Sequence, residues 1–138
     1  MTIRLNPYLN FKDNAREAMT FYHSILGGEL TVSTFADYHA SADPTEQQKV
    51  MHSQLVTPDG FVLMGGDTPD GMEYRPQTGV SVSLSGDDEA RLRGYWERLS
   101  EKGTVRVPFE TAPWGDTFGM CTDQFGTTWV VNAAAPSS

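Results

Sequence analysis

The chain has 138 residues, a 38% hydrophobic fraction and fifteen aromatic side chains, counting three Trp, seven Phe and five Tyr. That suffices for the core of one ordinary domain and excludes a disordered polymer, although mean hydropathy is −0.40. A net charge of −8 and a pI near 4.7 repel phosphate backbones and anionic lipid, so nucleic acid and membrane surfaces are excluded as partners. The lone Cys121 cannot form an intramolecular disulfide and stands in a strand-like stretch, which predicts a buried, inert thiol in a reducing compartment. The first residues lack the apolar core of a secretory leader, and no apolar run is long enough to span a bilayer. A cytoplasmic location is the expectation.

In chain order, Leu5 to Phe11 alternates, with Leu5, Pro7, Leu9 and Phe11 on one face and Asn6, Tyr8 and Asn10 on the other. This predicts a strand, with Pro7 placing it at an edge or an end. A helix follows, capped by Asn14 with Glu17 three residues on, striped by Ala18, Phe21, Tyr22 and Ile25, and stopped by Gly27-Gly28. Strands are predicted at Glu29–Phe35, Val50–Thr57 and Phe61–Met64, the last two joined by Pro58-Asp-Gly. Residues 36–49 between the first two form a long polar loop that is either a lid or a surface insertion.

After a breaker-rich segment from Asp67 the order repeats. Val80, Val82 and Leu84 alternate with serines. A helix opens on Asp87, Asp88 and Glu89, carries Leu92, Tyr95, Trp96 and Leu99, and stops at Gly103. Strands at Thr104–Phe109, Thr117–Thr122 and Thr127–Asn132 complete it, with Asp123 to Gly126 as the last turn. The fold class expected is therefore α+β, from two tandem β-α-β-β-β modules whose curved sheets form an open, barrel-like cleft with the helices outside. The modules span 1–67 and 79–134, with a linker at 68–78.

Several strings carry a family resemblance: Asn6-Pro-Tyr-Leu-Asn-Phe11, Phe21-Tyr22, Leu26-Gly27-Gly28, Val50-Met-His-Ser-Gln54 and Leu63-Met-Gly-Gly-Asp67. To these add Trp114, Phe118-Gly119 and Thr122-Asp123-Gln-Phe-Gly126-Thr-Thr-Trp129-Val-Val-Asn132. With them the chain resembles the vicinal oxygen chelate superfamily of glyoxalase I, bleomycin-resistance proteins and extradiol dioxygenases. Within it, the chain is similar to the subfamily carrying a phosphonate-operon or demethylubiquinone-methyltransferase name. The resemblance implies paired modules, an open cleft and a homodimer.

In metal-using members, the resemblance implies divalent-metal ligands on the first and last strands of both modules. Those places fall at Asn6, Met64, Gly79 and Val130 here. An amide, a thioether and alkyl groups are not the imidazole, carboxylate or thiolate donors such ions need, so no metal and no other cofactor is expected. A methyltransferase of the common fold needs a Gly-rich turn from strand to helix, whereas Gly27-Gly28 ends a helix and Gly65-Gly66 lies in a breaker-rich stretch.

Chemistry-bearing candidates remain. His52 and Gln54 alternate away from Met51, Ser53 and Leu55, so His52 reads either as a general base and ligand-orienting group or as a structural histidine. Asn6, Tyr8 and Asn10 offer amides and a phenol to a ligand, or to solvent or a partner subunit. Trp114, between Pro113 and Gly115, reads as a pocket wall or interface anchor, or as core. Trp129 reads as core, Asp67 and Asp123 as turn formers, and His23 and His39 as surface residues. The function expected is metal-independent binding of a small molecule in the cleft. The alternatives are a lyase or isomerase with His52 as base, and a metalloenzyme with a rearranged site.

Overall fold

The computed structural model describes residues 3–39 and 42–136. Its elements run β1 (Tyr8–Phe11), α1 (Ala15–Leu26), β2 (Glu29–Thr34), α2 (Pro44–Gln47), β3 (Val50–Val56) and β4 (Val62–Asp67). Then come β5 (Val82–Gly86), α3 (Glu89–Ser100), β6 (Thr104–Thr111), β7 (Thr117–Thr122) and β8 (Thr128–Ala133). The strands form two four-stranded sheets rather than one closed barrel, ordered β1-β4-β3-β2 and β5-β8-β7-β6. Each sheet has the same logic: the first and fourth strands of the unit pair in parallel, and the other pairs are antiparallel. The described residues divide into two compact units, one ending at Pro76 and the next beginning at Gln77. Among the described residues, no helix is long and apolar enough to cross a membrane.

In the first unit, α1 packs on the face of Leu9, Phe11, Leu55 and Leu63, all buried. A side chain at Gly65 would stand 3.1 Å from Phe11 Cε2 and 3.3 Å from Met19 Sδ, so glycine lets helix and sheet approach. The helix turns Ala15, Ala18, Met19, Tyr22 and Leu26 inward. This corrects the expected stripe, because Phe21 and Ile25 lie half-buried at its margin: apolar residues cover more of the helix surface than the sheet can receive. The cap is also corrected. Asn14 makes no side-chain cap, and the Ala15 N–H donates instead to Asp67 Oδ1 at 2.9 Å.

Strand β1 starts at Tyr8, not at Leu5. Pro7 has no N–H for the ladder and Leu5 is fully exposed, so only four residues pair. Strand β4 runs to Asp67, which puts Gly65 and Gly66 inside a strand rather than in a breaker-rich stretch. The polar stretch after β2 is not all loop. Asp43 accepts from the Thr45 N–H and opens the one-turn helix α2, and residues 40 and 41 of that stretch lie outside the described residues.

In the second unit, Leu92, Trp96 and Leu99 of α3 face Leu84, Phe109, Cys121, Trp129 and Val131, all buried. Tyr95 is only half-buried and receives a hydrogen bond from Arg91 at 2.7 Å. Asp88 caps α3 through the Arg91 N–H. Asp123 organises the final turn. Its carboxylate accepts from the N–H groups of Phe125 and Thr127 and from Trp129 Nε1, which fixes the buried Trp129 ring.

Candidate functional site

Opposite α1, the first sheet has a second face whose positions follow from strand alternation. Across one row of Cα partners stand Tyr8, Met64, Gln54 and Thr31, on four successive strands. Asn10 faces Gly66 in the next row, and His52 pairs with Ser33. Apart from the buried Gly66, these residues are half-buried or exposed, whereas their strand neighbours Leu9, Ser53, Leu55 and Leu63 are buried under the helix. No lysine or arginine occupies an open-face position of the four strands.

Tyr8 has a defined pose. It stands on β1, yet its hydroxyl donates to the Met51 carbonyl of β3 at 3.3 Å, reaching over β4 between them. Gly66 of β4 makes this possible: a Cβ there would stand 2.8 Å from the Tyr8 hydroxyl and 2.8 Å from the Met51 oxygen. Met51 is itself displaced. Ser33 pairs with His52 and Thr34 with Val50, so Met51 has no partner in β2. This bulge exposes Met51 instead of burying it on the Ser53 and Leu55 face, as strict alternation predicts. The adjoining Val50 N–H is fixed by buried Asp67, which accepts it at 2.8 Å. The ring of His52 lies near-parallel to that of Tyr8, with centroids 5.7 Å apart and 20° between planes. Partial burial raises the pKa of Tyr8, which keeps the phenol protonated and a donor.

The structure therefore brings Tyr8 and His52 into contact and places Asn10 and Gln54 on the same face. Asn6 is half-buried but precedes β1, so strand alternation does not orient it. Trp114 belongs to the second unit. It is 61% exposed and meets Phe118 edge-on, at 5.4 Å and 68°. Phe118 shares the open face of that sheet with Met120, Val130, Asn132, Ser83 and Ser85. Asn132 donates to Asp116 at 3.2 Å, and the Ala135 N–H donates to the same carboxylate at 2.9 Å, which holds its pKa below the usual range. Sequence reading missed Gly66, Met51 and Phe118. A Gly-Gly pair inside a strand pattern is the signal that could have found the first.

The places expected of metal ligands do not fit a divalent ion in either unit. Asn6 precedes β1 and Gly79 precedes β5. Register sets Met64 opposite Tyr8 in the first unit, a thioether and a phenol, and Val130 opposite Ser83 in the second, an alkyl group and a hydroxyl. Among the described residues no three His, Cys, Asp or Glu side chains group to hold one. Cys121 is buried, and burial pushes its thiol up to about 11, so it is no nucleophile at neutral pH. His52 stacks against Tyr8, with no carboxylate hydrogen-bonded to its ring among the described residues. The His23 ring hydrogen-bonds the Gly28 carbonyl, just past the end of α1, at 2.9 Å.

A separate hollow of about 560 Å³ lies beside the start of α1, lined by Asp13, Arg16, Glu17, Lys49, Asp67 and Asp70 among others. Its Lys49 ammonium is already bound by Asp13 at 2.9 Å and Asp70 at 3.0 Å, which raises its pKa.

A family model described as 3-demethylubiquinone-9 3-methyltransferase matches residues 4–132. The chain is 23% identical over 139 residues to Protein YjdN of Escherichia coli, covering 93% of each. Among solved structures, protein PA1353 from Pseudomonas aeruginosa is 35% identical with a TM-score of 0.83, covering 98% of this chain and 100% of that one. A glyoxylase/bleomycin resistance protein/dioxygenase domain from a Frankia species has a TM-score of 0.68 at 15% identity, covering 100% and 96%. That last likeness is one of fold.

Proposed function

The chain belongs to the 3-demethylubiquinone-9 3-methyltransferase family, and from its fold and open sheet face we propose that it is a metal-independent small-molecule binding protein. The observation that carries this reading is the stacked Tyr8–His52 pair on the sheet face that also holds Gln54 and Asn10. Such a surface offers aromatic area, amides and hydroxyls, which orient a ligand without ionising. Trp114 and Phe118 add a second, more apolar contact surface in the other unit. Binding is favoured over the methyl transfer in the family's name. Gly27 and Gly28 close α1 and Gly65 and Gly66 lie within β4, so neither pair forms a strand-to-helix turn for a nucleotide-like cofactor.

The test is equilibrium dialysis against a broad metabolite and antibiotic library with mass-spectrometric detection. Retention of at least one compound at micromolar concentration is expected, and no retained compound would sink the reading. Elemental analysis of tag-free protein is the companion measurement; a stoichiometric transition metal would overturn metal independence. The same proposal places the protein in the cytoplasm as a homodimer, so sedimentation at twice 15.2 kDa is expected, and a monomer mass would refute it.

A second reading is a lyase or isomerase with His52 as general base. It is favoured by the half-buried imidazole beside a phenol. Unchanged turnover in His52→Ala would eliminate it.

A further inference from the structure

Resting on the reading of the first sheet's open face as a ligand site, we infer that its ligand is a planar conjugated ring without anionic groups, stacked on Tyr8 and His52. The pose of Tyr8 is the starting observation. Its hydroxyl reaches the Met51 carbonyl of β3 from β1, so the ring must lie across the intervening β4 rather than stand up from the sheet. Gly66 clears the ground beneath, and the Met51 bulge sets the carbonyl that fixes the far end. The hydroxyl end of the ring thus sits over backbone while Tyr8 stays 44% exposed. The His52 ring stacks near-parallel with it, so the two rings form one aromatic patch. A flat conjugated ring gains offset stacking on such a surface, worth about two- to tenfold in affinity beyond area burial, and a puckered saturated ring of equal size does not.

Charge narrows the class. No lysine or arginine occupies an open-face position, and the chain carries −8. A phosphate or phosphonate would lose hydration there without gaining a counter-charge. The groups at the rim are instead Asn10, Thr31 and Gln54, which suit hydroxyl, carbonyl or amide substituents on the ring.

The experiment is an NMR titration of the full chain with three probes of matched size: 2-naphthol, its decahydro counterpart and 2-naphthyl phosphate. Saturable shifts of the Tyr8 and His52 ring signals by 2-naphthol are expected. Affinity should fall about two- to tenfold for the decahydro probe, and likewise in Tyr8→Leu, while Tyr8→Phe retains most of it. Backbone spectra of the wild-type dispersion establish that each variant is folded. Equal binding of the saturated probe would overturn stacking, and tighter binding of the phosphate would overturn the charge argument. In both cases the open face remains a ligand site. If no probe moves the ring signals while a library compound does, the ligand class is wrong and the site stands. If the library also yields nothing, the binding reading falls with it.

Discussion

Asp67 illustrates how one side chain joins distant parts of the first unit. Its buried carboxylate takes the first N–H of α1 through one oxygen and the Val50 N–H of β3 through the other. Replacement by Ala would leave two donors without their partner, and unsatisfied buried donors cost about 1–3 kcal/mol each. Asp67→Ala should therefore lower unfolding free energy by about 3 kcal/mol. An unchanged urea midpoint would refute the assignment. The residue was legible in the sequence only as a turn former. Capping was assigned to Asn14 because capping patterns are local, and Asp67 is 52 positions from the N–H it holds. Asp123 was legible for the opposite reason, since its backbone partners lie within its own turn.

At the scale of elements, the order of strands and helices was readable because alternation and helical spacing are strong signals in both units. Boundaries and facing were not. Pro7 shortened β1, the Met51 bulge broke the alternation of β3, and the sheet selected Met19 over Phe21 for the buried side of α1. Each outcome depends on what the neighbouring element presents. The candidate site shows the same division: period alone pairs Tyr8 with Asn10 on one strand and His52 with Gln54 on another, but joining them on one sheet face needs the strand register, and the reach of Tyr8 needs Gly66 from a third strand. Strand β1 is four residues long, sits at the edge of its sheet and pairs only with β4. Its amides should exchange with solvent faster than those of the interior strands β3 and β4, and ligand should slow them. Hydrogen exchange resolved by residue measures this; equal protection in β1 and β3 would contradict it.

At the scale of the whole molecule, the repeated order and shared parallel closure make the two units chemically comparable by register. Tyr8, Asn10, His52, Gln54, Met64 and Gly66 correspond to Ser83, Ser85, Phe118, Met120, Val130 and Asn132. The repeat was evident in the sequence from the helices and their Gly stops, yet this contrast between the open faces emerges only when strand partners are known. One shared topology thus carries two different open faces. The Tyr8 ring reaches past its register partner Met64 to lie over Gly66, whereas the corresponding positions hold the small Ser83 and the bulkier Asn132. Large and small side chains are thus reversed between these diagonal positions, so Tyr8 and Gly66 form a linked pair. Relatives that keep the tyrosine should keep the glycine, and grafting the ring alone into the second unit would set it against Asn132.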